Sequence, residues 1–188
     1  MVTITDSGFE VININENQIV TKKIEEIKYS LDEIEKSGFD FFMLKEIFEQ
    51  PKSIQESMRG RIDLENHQVK LGGIQDWLQR IIDAENIYIT ACGTSWHAAL
   101  IGSFLIEEII QKPVKVEYAS ELRYRPSAIN SETVLLSISQ SGETADTLAA
   151  VKKAKELGAF TVGIVNVVGS SIARETNCGV YIHAGPEI

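Results

Sequence analysis

TVLLSISQSGETADTLAAVKKAKELG, residues 133–158, passes from an apolar run through a cluster of hydroxyls into a helical pattern. The run predicts a strand over 133–138, and the segment after the hydroxyls predicts a helix over 143–157. The same grammar recurs from Glu85 onward: strands are expected at NIYITA (86–91), VKVEYA (114–119), FTVGIV (160–165) and GVYIH (179–183). Helices are expected from about Ser95 to Gln111 and, shortly, after Ser170. Continuously apolar strands separated by helices are buried on both faces, so residues 85–188 predict an α/β domain, a three-layer α/β/α sandwich on a five-stranded parallel sheet. Ligands of such sheets bind outside the carboxyl ends of the strands, where the strand order reverses.

That rule selects three strand-to-helix turns: ACGTSWH (91–97), SISQSGET (137–144) and NVVGSS (166–171). The second carries hydroxyls at Ser139, Ser141 and Thr144, an amide at Gln140, and a glycine at 142 that lets the backbone turn and present its N–H groups. A helix N-terminus adds unpaired donors and about half a positive charge, so a phosphate can be held without any lysine. Ser95, expected to open the helix after the first strand, offers another hydroxyl. The plainer alternative is that Ser95 and Ser141 are only N-caps, since Ser, Thr and Gly are favoured at any such turn. Three such loops on one sheet edge weigh toward anion binding.

Other chemistries fit less well. There is no GxxxxGK[ST], no GxGxxG after a strand, and no GxSxG around Ser141, because residue 139 is Ser. His67, His97 and His183 form no pair at metal-ligand spacing, so no metal and no cofactor are expected. Cys92 and Cys178 read as small, buried apolar residues of a reducing compartment, and Trp96 as packing rather than a stacking platform. A net charge of −9 disfavours nucleic acid and requires any phosphate to be held by local donors. With 44% hydrophobic and 24% charged residues, the composition is that of an ordinary globule. No apolar run approaches the roughly 20 residues of a membrane span, and the N-terminus lacks a signal-peptide pattern, so a cytoplasmic protein is expected.

Ahead of the α/β segment, MVTITDSGFEVININ alternates about Asp6-Ser7-Gly8 and predicts a β-hairpin, which alone would be marginal in water. Ile24, Ile27, Leu31 and Ile34 predict an amphipathic helix over 22–36 with an acidic outer face. Phe41, Leu44, Ile47 and Phe48 predict a second, which Pro51 breaks or restarts, and 51–83 reads as helical pieces punctuated by Gly60 and Gly72-Gly73. The apolar positions of 22–50 and Trp77 exceed what the sheet must cover, so a homodimer is expected.

CGTSWHAAL (92–100), ASELRYR (119–125), SISQSGETADTL (137–148), NVVGSSIARE (166–175) and the terminal GPEI resemble the first sugar isomerase (SIS) domain of the glutamine–fructose-6-phosphate aminotransferases. The resemblance runs from about Phe42 to the last residue. It implies a flavodoxin-like sheet order and a parent enzyme that makes glucosamine 6-phosphate from fructose 6-phosphate and glutamine, for amino-sugar synthesis. By motif, Thr94, Ser95, Ser139, Gln140, Ser141 and Thr144 would hold the sugar phosphate, and no residue of this chain would be catalytic. The implied division is 1–20 as the closing strands of a glutaminase domain, 21–84 as a linker and helical lead-in, and 85–188 as a SIS domain truncated at its C-terminal end. The family's N-terminal cysteine nucleophile, second SIS domain and Schiff-base lysine have no counterpart in the sequence, so a fragment inactive on its own is expected. Two alternatives remain: a non-enzymatic SIS sensor, which would carry a basic helix-turn-helix where 22–50 is acidic, and a stand-alone phosphosugar isomerase, for which His97 is the only nearby proton shuttle.

Overall fold

The computed structural model describes residues 1–21 and 35–186. The chain divides after Glu35 into two compact units. The helix expected over 22–36 lies, apart from its last two residues, outside the described residues.

In the first unit β1 (Val2–Thr5) and β2 (Gly8–Asn13) form the expected hairpin, in register Thr5↔Gly8 across the Asp6-Ser7 turn. A two-residue strand, β3 (Gln18–Ile19), which the sequence reading did not include, extends it antiparallel to β2. Asn17, at φ 49°, supplies the left-handed residue that the second turn requires.

The second unit opens with α1 (Phe42–Met58), which runs through Pro51 rather than stopping there. Pro51 and Ile47 are both exposed, so water takes the carbonyl that the missing N–H leaves unpaired. The helical pieces expected after α1 are corrected to a small hairpin, β4 (Ile62–Asp63) with β5 (Gln68–Val69). Asp63 organises its turn: one carboxylate oxygen accepts Asn66 N–H at 3.1 Å and the other pairs with Lys70 Nζ at 2.8 Å. The bonds from Lys70 and Asn66 hold its carboxyl down to about 2. A 3₁₀ turn (Gly72–Trp77) and α2 (Leu78–Ile82) lead into the sheet.

The sheet follows the sequence reading closely: β6 (Asn86–Ala91), α3 (Gly93–Ile110), β7 (Val114–Tyr118), β8 (Thr133–Ser139), α5 (Ala145–Glu156), β9 (Phe160–Val165), α6 (Ser171–Glu175) and β10 (Cys178–Tyr181). Between β7 and β8 lies a helix not anticipated, α4 (Ala119–Tyr124). All five strands are parallel, in the order β10-β9-β8-β6-β7. This is the flavodoxin-like arrangement, and its order reverses between β6 and β8.

Both faces are buried, which is why β8 reads as a continuous apolar run. Leu135 packs with Tyr88, Leu122 of α4 and Ala150, Val151 and Ala154 of α5 on one face. Its neighbour Val134 packs with Ala84, Phe160, Val162, Ile74 and Ile81 on the other. Each fully buried Leu, Ile or Val contributes about 1.5–3 kcal/mol of transfer free energy. Trp77, counted above toward an interface, lies against Phe160 with ring centroids 5.2 Å apart. Cys92 and Cys178 are free thiols, only partly buried where full burial was expected, because they pack at the margins of the two core clusters; burial pushes the Cys178 thiol up.

The sheet margins are occupied by side chains and tight backbone packing. At β10, Arg61 Nη2 donates to Tyr181 O, and Gly73 lies so close to Gly179 O that a Cβ there would overlap it. At β7, Glu107 Oε1 accepts Val114 N–H at 2.7 Å.

Candidate phosphate-binding site

The β6–β8 pairing places the loops after these strands side by side, with Thr90 opposite Ser137. One loop opens α3, 18 residues long, and the other opens α5, 12 residues long. Their N-caps are Cys92 and Thr144, both extended and neither making a side-chain cap hydrogen bond. The first bonds of the two helices are Trp96 N–H to Cys92 O, 3.4 Å, and Leu148 N–H to Thr144 O, 2.9 Å. The N–H groups of 93–95 and 145–147 are therefore left without helical acceptors, with two helix dipoles converging on one edge. Thr147 Oγ1 lies 3.9 Å from Cys92 Sγ and joins the two helix starts.

The hydroxyls divide by role. Ser139, 4% exposed at the end of β8, accepts Gly142 N–H at 3.0 Å and shares a 2.9 Å hydrogen bond with Thr144 Oγ1, so this pair shapes the turn. Ser141 is exposed; its Oγ accepts Glu143 N–H at 3.2 Å and keeps its own proton to donate. The side chains of Gln140, Thr94 and Ser95 have no hydrogen-bond partner among the described residues. All six residues singled out by the sequence thus lie on one edge of the sheet, flanking the point where the strand order reverses. Ser95 does not open its helix, as expected above: Gly93 does, and Ser95 sits within the first turn. Neither Ser95 nor Ser141 caps a helix, so capping does not account for either hydroxyl.

The third loop braces the second. Asn166 N–H donates to Gln140 O at 3.1 Å and Ile172 N–H to Gly142 O at 2.9 Å. Ser171 N–H donates to Glu143 Oε1 at 2.7 Å. The Ser171 hydroxyl and then its N–H hold the Glu143 carboxyl below the usual carboxylate range, with Arg174 assisting. Gly142, at φ +67°, is seated so tightly that a Cβ would overlap Ser170 Oγ. These ties, and the ion pair of Arg123 with Asp146 in the first turn of α5 at 3.0 Å, were not anticipated. The glycine in SQSGET was the one available hint of close packing.

The local charges compensate one another: Asp146 pairs with Arg123, and Glu143 faces Arg174. An anion placed at this edge would be met by backbone dipoles and hydroxyls. His97 turns its Nδ1 toward Gly93 O, 3.0 Å away, and no three His, Cys, Asp or Glu side chains converge as a metal site among the described residues. Trp96 stacks on Tyr118, centroids 4.1 Å apart and planes within 13°, which is packing as expected.

Known proteins resemble this chain in sequence and in fold. A glutamine–fructose-6-phosphate aminotransferase (isomerizing) from Chlorobaculum tepidum is 56% identical over 188 residues, all of this chain but 30% of that protein. Its counterpart from Bacteroides thetaiotaomicron is 53% identical over 92% of this chain and 28% of its own. The chain thus spans less than a third of the length of these curated relatives. Among solved structures, the C-terminal domain of glucosamine-fructose-6-phosphate aminotransferase from Francisella tularensis superposes with a TM-score of 0.73 at 35% identity, over 82% of this chain and 42% of that one. The SIS domain family matches residues 80–188, the stretch that holds the whole parallel sheet and its three hydroxyl loops, and the chain belongs to that family.

Proposed function

We propose that residues 85–188 bind a sugar phosphate, fructose 6-phosphate or glucosamine 6-phosphate, with the phosphate held between the starts of α3 and α5. The observation that carries this is the pair of uncapped helix N-termini at the switch point, with unpaired hydroxyl and amide side chains around them. Ser141, Gln140, Thr94 and Ser95 donate to the phosphate or to nearby sugar hydroxyls, while Ser139 and Thr144 keep the loop in shape. The 44–56% identity to aminotransferases over the full chain supports placing this domain in a glutamine-dependent enzyme that forms glucosamine 6-phosphate. In that reading, residues 1–20 belong with a preceding glutaminase domain and 21–84 lead into the SIS domain.

The proposed setting is cytoplasmic, and no described helix is long and apolar enough to cross a membrane. The proposed assembly is a homodimer: α3 turns Ile101, Phe104, Leu105 and Ile109 outward, each more than half exposed.

Titration of fructose 6-phosphate, with unphosphorylated fructose as control, tests the site. Phosphate-dependent shifts in the amides of 93–95 and 141–147, and affinity at least about tenfold weaker in Ser141→Ala, are expected from loss of a hydrogen bond to a charged group. Equal response to fructose, or none to either sugar, would refute the assignment.

A further inference from the structure

We infer that Glu143 is a positioning residue, whose carboxylate clamps the 139–144 loop to the first turn of α6 so that the donors at the start of α5 face the ligand. This rests on the phosphate reading above. Two backbone hydrogen bonds join the loop to 166–172, from Asn166 to Gln140 O and from Ile172 to Gly142 O. Beside them the loop contributes a side chain, Glu143, whose Oε1 accepts Ser171 N–H. With Gln140 O drawn toward Asn166, the planar trans peptide aims Ser141 N–H the opposite way. The loop's free donors therefore depend on a strand-to-helix unit that lies outside α5.

Glu143 is also the residue in the loop that simple electrostatics would forbid. A carboxylate this close to an anion site repels the ligand, and its Coulomb effect alone weakens binding. A clamp at this position favours binding only if its geometric contribution exceeds that repulsion. The two contributions have opposite signs, so a charge-removing variant separates them.

Three variants decide the matter, with fructose 6-phosphate as the probe and amide hydrogen exchange as a second readout on the ligand-free chain. Glu143→Ala removes both the charge and the acceptor; about tenfold weaker binding is expected, the size of one lost charge-assisted hydrogen bond. Glu143→Gln removes the charge but keeps a carbonyl oxygen for Ser171 N–H, so affinity should return to within about threefold of the parent or exceed it. Glu143→Asp keeps the charge on a shorter stem and should behave like the alanine variant. In Glu143→Ala the amides of 141–145 and 171 should exchange faster. Tighter binding by Glu143→Ala, or a glutamine variant as weak as the alanine one, would overturn the inference. If the parent chain ignores fructose 6-phosphate, the phosphate reading fails, and exchange still judges the clamp: unchanged protection in Glu143→Ala refutes it.

Discussion

Gly142→Ala is the substitution whose effect the structure specifies most completely. The new methyl would sit at φ +67°, which costs an L-residue about 1–2 kcal/mol. It would also overlap Ser170 Oγ and stand 2.5 Å from Ser170 Cβ, with Val165 Cγ1 at 3.6 Å. Ser170 is 3% exposed and has no room to swing aside, so overpacking adds about 1–3 kcal/mol. The sum, about 2–5 kcal/mol, is a large share of a domain's usual stability. Equilibrium urea unfolding of four proteins measures it: parent, Gly142→Ala, Ser170→Gly and the double variant. Ser170 Oγ has no hydrogen-bond partner among the described residues, so its deletion forfeits none of their bonds, and it removes both of the closest contacts. The double variant should recover about 1–3 kcal/mol relative to additivity while retaining the left-handed cost. Gly102→Ala, mid-helix in α3 with nothing within 4 Å of the added methyl, serves as control and should stabilise by about 0.5–1 kcal/mol. A Gly142→Ala protein within 0.5 kcal/mol of the parent, or strict additivity in the cycle, would refute the packing argument.

The Glu143 carboxyl is depressed in the folded chain, so its tie to Ser171 contributes above the ordinary unfolded glutamate value near pH 4.3 and is lost as pH falls through the lower folded value. The Ser171 amide resonance should therefore titrate with a midpoint below the ordinary glutamate value; a midpoint at or above that value would contradict this sign. Phe104→Glu places a charge in the outward face of α3, where Phe104 is 69% exposed, and should shift sedimentation toward the monomer. Identical sedimentation of parent and variant would exclude α3 from the interface.

The sequence was most legible where physics leaves few choices. Val134 and Leu135 face opposite layers, and both must be apolar, so β8 could be read without any knowledge of its neighbours. The elements that escaped were short ones with no readable pattern. In β4–β5 two residues per strand carry no alternation, and in Ala119–Tyr124 six residues carry too little period. Pro51 misled because the breaking rule assumes a carbonyl that cannot reach water, whereas this turn is exposed. The hydroxyl loops stood out by composition and position together. What composition could not convey is the coupling of Glu143 to Ser171, a hydrogen bond across 28 residues that exists only because β8 and β9 are adjacent.

The two flanking strands bear on how this molecule can associate. Arg61 already takes Tyr181 O, Gly73 abuts Gly179 O, and Glu107 takes Val114 N–H. An incoming extended peptide would have to displace these groups before it could lay down a ladder of its own. Sheet extension, the route by which many α/β domains polymerise or trade strands, is thus obstructed at both ends, and recruitment of another polypeptide is steered to the helical layers instead.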